Sequence, residues 1–154
     1  MLQATSEILN ADLLAAVAFF QDDQDAIDLP FIGTYPKNCC ESVSTILAAV
    51  LAARYPESTV RLVEGYSREK NNYHFWVEVD DQVLDATAHQ FAAYPASFVC
   101  PVPSPLAMEY PDIEREIPSA ALSSRARSLQ RGIEEVEKLN EIVARLRSRL
   151  AATK

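Results

Sequence analysis

Two cysteines stand side by side where the sequence predicts the first turn of a helix. Cys39 and Cys40 come directly before an apolar stripe with helical spacing. A helix N-terminus carries partial positive charge and unpaired backbone N–H groups, which favour a thiolate and can bind a developing oxyanion. The position therefore suits a nucleophilic cysteine. Free cysteines are also among the most buried residue types, and periodicity alone does not choose between the two roles.

A nucleophilic thiol needs a base, and the chain contains only two histidines. In the predicted strand YHFWVEV, alternation places His74 and Trp76 on the same face. If the next strand follows an even-numbered loop at Asp80 and Asp81, Asp85 lies opposite Trp76 and shares the face of His74. A carboxylate there would orient the imidazole. An odd loop would move Asp85 to the other face and leave His74 as an ordinary sheet histidine bonded to a backbone carbonyl.

The order Cys, His, Asp, together with the residues around each, resembles a known family. The segments HFWVEV and VLDATAHQF are similar to the transglutaminase-like branch of the papain-like superfamily, and the likeness spans roughly residues 31–91. Bacterial members often read Cys, Gly, two small or polar residues and then Ser, and CESVS from Cys40 to Ser44 fits that frame apart from Glu41 in the glycine position. The resemblance favours Cys40 as the nucleophile and leaves Cys39 as the second candidate.

This resemblance implies acyl transfer at an amide of a protein or peptide through a thioester. Cys40 would attack the carbonyl, His74 would move the proton and Asp85 would hold the ring. Water as the second substrate would make the protein a peptidase or glutamine deamidase, and an amine would make it a transglutaminase or ligase. The alternative is a catalytically inactive papain-like fold that binds proteins.

Further candidates surround this predicted triad. The backbone N–H of Cys40 is one candidate oxyanion donor, and a second would come from Asn38 or from the backbone near Tyr35. Trp76 would line a substrate groove or, as a lone sheet tryptophan, belong to the core. His89 would replace His74 as the base if the hairpin had a different register.

The expected fold is α+β, with the nucleophile helix packed on an antiparallel sheet. Helical spacing predicts a first helix from Ser6, its cap, to Gln21, and a second that begins at Asn38 with Glu41 in a capping box. The predicted strands are residues 59–66 and a hairpin within 73–87. Residues 94–118 are too rich in proline for a regular element.

One final amphipathic helix is predicted from about Ser119 to Leu150. Its apolar residues recur near heptad spacing: Leu122, Leu129, Val136, Val143 and Leu150, with Ile133, Leu139 and Leu146 between them. We expect residues 1–118 to form the papain-like core and residues 119–154 to pack on it, to form a dimer or to grip a partner.

Composition limits the classes of partner. With 154 residues, 49% of them hydrophobic, the chain can bury one core, and a net charge of -8 disfavours nucleic acids and anionic membranes. The absence of a long apolar stretch and the odd count of three cysteines favour a protein without disulfides in the cytoplasm. The family resemblance also implies the alternative of a protein delivered from a bacterium into a target cell. The spacing of histidines, cysteines and carboxylates predicts no metal, and no cofactor is expected.

Overall fold

The computed structural model describes residues 3–29, 31–128 and 132–152, except for the side chains of residues 125–136. That part of the chain is an α+β fold in which four helices accompany one five-stranded antiparallel sheet. The helices are α1 (Ser6–Asp22), α2 (Cys40–Arg54), α3 (Pro118–Ser128) and α4 (Gly132–Ala151). The strands are β1 (Val60–Ser67), β2 (Asn72–Val79), β3 (Gln82–Asp85), β4 (Phe98–Pro101) and β5 (Asp112–Glu116). Their order across the sheet is β4-β3-β2-β1-β5.

The first helix begins where the sequence predicts, but its cap is different. Thr5 is the N-cap, and its Oγ1 accepts the backbone N–H of Ile8 at 3.3 Å. Ser6 is the first helical residue. The predicted cap at Ser6 is therefore wrong by one position, because Thr5 carries an equally suitable hydroxyl one residue earlier.

The second helix begins two residues later than predicted. Asn38 has a φ of 65°, in the left-handed region, which a right-handed helix cannot contain. Cys39 is the N-cap, without a capping bond from its side chain, and Cys40 is the first helical residue. The predicted capping box between Asn38 and Glu41 is therefore wrong, and Cys40 lies even closer to the helix terminus than expected.

The hairpin of β2 and β3 has the even-numbered loop on which the site prediction depends. Its pairing leaves Asp80 and Asp81 as a two-residue turn, and Asp80 has the positive φ, 53°, that such turns favour. The same register places Asp85 across from Trp76. The predicted register is confirmed, and Asp85 is on the face of β2 that carries His74.

The two faces of β2 are buried in different clusters. On one face, Phe75 and Val77 belong to the main core with the four helices. On the other face, Trp76 packs with Val63 and Val83 in a smaller cluster. Most of β2 is therefore buried on both faces.

The proline-rich segment contains more regular structure than predicted. Besides β4 and β5, it has a short 3-10 turn at Pro105–Ala107, capped by the hydroxyl of Ser104. Both strands lie at the edges of the sheet, where the missing N–H of a proline is tolerated. Cys100, predicted to lie in an irregular connector, is in β4 opposite Val83.

The single predicted C-terminal helix is replaced by two. Both α3 and α4 pack on α2 and on each other, so one straight helix is wrong. The described part of α4 begins at Gly132. The heptad positions Leu129, Ile133 and Val136 lie outside the described residues or side chains.

The described parts of these helices pack on their own chain. The following residues are buried in the main core: Ala121, Leu139, Ile142, Leu146 and Leu150. The apolar stripe predicted for the segment is thus turned towards α1 and α2. Within the described ranges, no helix is long and apolar enough to span a bilayer.

Candidate active site

His74 and Asp85 form a buried pair on neighbouring strands. Nε2 of His74 lies 2.7 Å from Oδ2 of Asp85, and both side chains are 0% exposed. The other carboxylate oxygen, Oδ1, accepts the backbone N–H of Thr87 at 3.1 Å. These two contacts fix the carboxylate, and the carboxylate fixes the imidazole ring. Nδ1 of His74 is therefore the nitrogen left for proton exchange with another group.

Cys40 is the cysteine that the fold brings to His74. Its half-buried side chain projects from the first residue of α2, where the helix N–H groups are unpaired. Nδ1 of His74 is buried and makes no hydrogen bond of ordinary geometry. Cys40 nevertheless raises the pKa of His74, both as a hydrogen-bonding partner and through the charge of its sulfur. Long or poorly aligned contacts of this kind are common between catalytic groups before substrate binds.

The balance of forces on His74 favours its protonated form. Burial lowers its pKa, but the charge and hydrogen bond of Asp85, followed by those of Cys40, raise it to about 9. The ring is consequently positively charged at pH 7.

Cys39, the second candidate, has an environment that opposes a nucleophilic role. Its side chain is 1% exposed and belongs to the main core. Burial and then the neighbouring charge of Cys40 raise the pKa of Cys39 to about 12, so its thiol stays protonated near neutral pH. Of the two adjacent cysteines, the structure puts one in the core and the other beside the imidazole.

Three aromatic rings surround His74. Its ring centroid lies 5.0 Å from that of Phe91, 5.8 Å from Trp76 and 5.9 Å from Tyr110. Gly65 pairs with His74 across β1 and β2, and a Cβ on Gly65 would lie only 2.8 Å from the Cβ and carbonyl oxygen of Tyr110. The glycine therefore leaves the space in which Tyr110 packs near the imidazole.

Two predicted binding residues have different outcomes. Trp76 is 1% exposed, because its indole packs with Val63 and Val83 on the face of the sheet that carries His74, so it belongs to the core, the second of its two predicted roles. Asn38 is exposed and lies two residues before Cys40. Its role as an oxyanion donor stays a prediction.

Tyr35 and His89 lie on the Asp85 side of the site. The Tyr35 hydroxyl donates to the carbonyl oxygen of Ala86 at 2.5 Å, and its ring is 5.4 Å from the His89 ring. Burial lowers the pKa of His89 against the opposing charge of Asp85. Because the hairpin has the expected register and Asp85 contacts His74, the condition under which His89 would replace His74 as the base is not met.

The surroundings of the imidazole were not predicted from the sequence. Gly65 carried a readable signal, since a glycine inside a strand often marks the close approach of another segment. Phe91 and Tyr110 carried none, because their contacts with His74 join distant parts of the chain.

In the described part of the chain, no group of three or more histidines, cysteines or carboxylates could hold a metal ion.

Comparisons with known proteins do not assign a family. No family model matches the chain, and no curated protein matches it. A solved crystal structure of a structural-genomics target resembles it with a TM-score of 0.47 and 17% sequence identity, over 94% of this chain and 78% of that one.

Proposed function

We propose that this protein is a cysteine-dependent amide hydrolase or acyltransferase with a papain-like, transglutaminase-like core. The observation that carries the proposal is the buried His74–Asp85 pair with Cys40 beside it at a helix N-terminus. A charged imidazole, a carboxylate that orients it and a half-exposed thiol are the three groups that thiol acyl transfer needs.

The first half of the reaction forms a thioester. In the resting pair the Cys40 thiol has already passed its proton to Nδ1 of His74, and the thiolate Sγ attacks the amide carbonyl carbon. Backbone N–H groups at the start of α2 stabilise the oxyanion. The imidazolium then protonates the leaving nitrogen as the C–N bond breaks. Asp85 keeps the ring oriented and stabilises its positive charge throughout.

The second half of the reaction determines the type of enzyme. His74 removes a proton from water or from an amine, which attacks the thioester carbonyl and releases the Cys40 thiolate. Water completes peptide hydrolysis or glutamine deamidation, and an amine completes transamidation. We propose a protein or peptide as the acyl donor, on the resemblance of CESVS and HFWVEV to the transglutaminase-like branch.

The test is iodoacetamide labelling of the full chain as a function of pH, with each cysteine followed by mass spectrometry. We expect Cys40 in the wild type to react rapidly below pH 7, where an unperturbed thiol with a pKa of ~8.5 reacts slowly. His74→Ala should abolish this advantage, with circular dichroism verifying the fold. Slow labelling of Cys40 in both proteins would contradict the proposal and favour a binding protein without catalysis.

A further inference from the structure

Ser44 joins the helix that carries Cys40 to the strand that carries His74. Its hydroxyl donates to the carbonyl oxygen of Phe75 at 3.2 Å, and the Ser44 side chain is 1% exposed. Phe75 directly follows His74, and Ser44 follows Cys40 by four residues, which places the two on one side of the helix. One buried bond thus links the residue after His74 to the residue one helical turn after Cys40.

The neighbouring hydroxyl on α2 makes a different kind of bond. Thr45 is also buried, but its Oγ1 donates to the carbonyl oxygen of Glu41 at 2.6 Å, within the same helix. That bond does not connect the helix to the sheet. Thr45 is therefore a matched internal reference for Ser44, next to it in sequence and similar in burial and chemistry.

We propose that Ser44 is a positioning residue for the Cys40–His74 pair. Apolar packing between α2 and β2 is non-directional and permits small sliding movements, whereas a hydrogen bond to one carbonyl fixes the helix at one position along the strand. In this position the Cys40 side chain stays within reach of the His74 imidazole. Ser44 itself touches no reacting atom, and its assigned role rests on the proposed function of the pair.

The experiment compares Ser44→Ala, Ser44→Thr and Thr45→Ala in the full chain. The rate of Cys40 alkylation is measured from pH 5.5 to 9.5, with urea unfolding in parallel. We expect Ser44→Ala to lower the rate below pH 7 by about tenfold to hundredfold, because a displacement of about 1 Å can have an effect of that size. Ser44→Thr keeps the donor and should restore much of the rate. Thr45→Ala should reduce stability without changing the pH profile.

The outcomes separate this inference from the proposed function. If wild-type Cys40 is activated and depends on His74, but Ser44→Ala has the wild-type profile, the positioning role is wrong and the proposed function remains. Equal shifts in Ser44→Ala and Thr45→Ala would also overturn it, since they would reflect general loosening of α2. If Ser44→Ala does not fold, a folded Ser44→Thr variant without rapid Cys40 alkylation below pH 7 would contradict the positioning role. A wild-type Cys40 without activation removes both proposals.

Discussion

Nε2 of His74 lies 2.7 Å from Oδ2 of Asp85, and neither side chain is exposed. An isolated charge would be costly there, but the two groups compensate each other if the ring is protonated. The pair is consequently part of the folding energetics as well as of the proposed chemistry. Its two roles can be measured separately.

The first prediction concerns stability as a function of pH. The pKa of His74 rises from 6.5 to about 9 in the folded protein, because the attraction of Asp85 and Cys40 exceeds the effect of burial. The stabilisation from its proton is full below pH 6.5 and is lost as the pH rises through 9. At 1.36 kcal/mol per pKa unit, this stabilisation is at most about 3 kcal/mol. Urea unfolding between pH 6 and 10 measures this loss.

The control for that measurement is His74→Gln, which removes the titrating ring from the same buried position. Taking the difference in unfolding free energy between the wild type and this variant cancels the contributions of other titrating groups. This difference should shrink from pH 6.5 to pH 9. Parallel curves over this range would show that His74 does not bind an extra proton in the folded state.

The second prediction tests the space between Gly65 and Tyr110. A Cβ at residue 65 would lie 2.8 Å from two atoms of Tyr110 and 3.0 Å from the Trp76 ring, so Gly65→Ala must displace groups that surround His74. We expect a loss of about 1–3 kcal/mol in unfolding free energy, typical of overpacking, and slower Cys40 alkylation.

Gly33→Ala is the matched substitution for this experiment, since a Cβ at Gly33 has no atom within 4 Å. Its effect on unfolding free energy should be within about 0.5 kcal/mol, as for most surface substitutions. If both variants had the same stability and reactivity, the packing of Tyr110 over Gly65 would have no importance for the site.

The third prediction separates the adjacent cysteines. Cys40→Ala should abolish rapid alkylation at pH 6.5, whereas Cys39→Ala should retain it, because Cys39 lies in the core with its pKa raised to about 12 by burial and the Cys40 charge. Peptide mass spectrometry after brief labelling distinguishes the two sites. Rapid labelling that survives in Cys40→Ala and disappears in Cys39→Ala would reverse the assignment.

The fourth prediction concerns the hydroxyl of Tyr35, which bonds the carbonyl oxygen next to Asp85. Tyr35→Phe leaves the Ala86 carbonyl without this partner, and we expect a loss of about 1–3 kcal/mol in unfolding free energy. Tyr66→Phe is the comparison, since its hydroxyl bonds the Asn71 side chain at the exposed hairpin end and should contribute less. Equal losses would mean that Tyr35 does not support the site through this bond.

Local sequence patterns predicted the hairpin and limited its register to two alternatives. Alternation in YHFWVEV and the Asp80–Asp81 turn are properties of neighbouring residues, but only an even-numbered loop brings Asp85 to the face of His74, and the observed pairing has that loop. The start of α2 was less predictable. Asn38 is a good cap by residue type, but its left-handed backbone is set by the loop in which it lies.

Long-range packing decided what the sequence could not show. Tyr110 reaches His74 from the proline-rich segment, and β5 pairs with β1 only because that segment returns to the sheet. No short pattern records either contact. Burial of Trp76 likewise depends on which segments cover the second face of the sheet, and alternation specifies only that it shares a face with His74.

NMR titration of the His74 imidazole in the wild type, Cys40→Ala and Asp85→Asn tests the pairing of Cys40 with His74 most directly. We expect a wild-type pKa near 9 and lower values in both variants, because Asp85 and Cys40 each raise the pKa against the effect of burial. Dependence on Cys40 would demonstrate that thiol and imidazole act as a pair. A His74 pKa that is the same with and without the Cys40 thiol would contradict the proposed nucleophile and base.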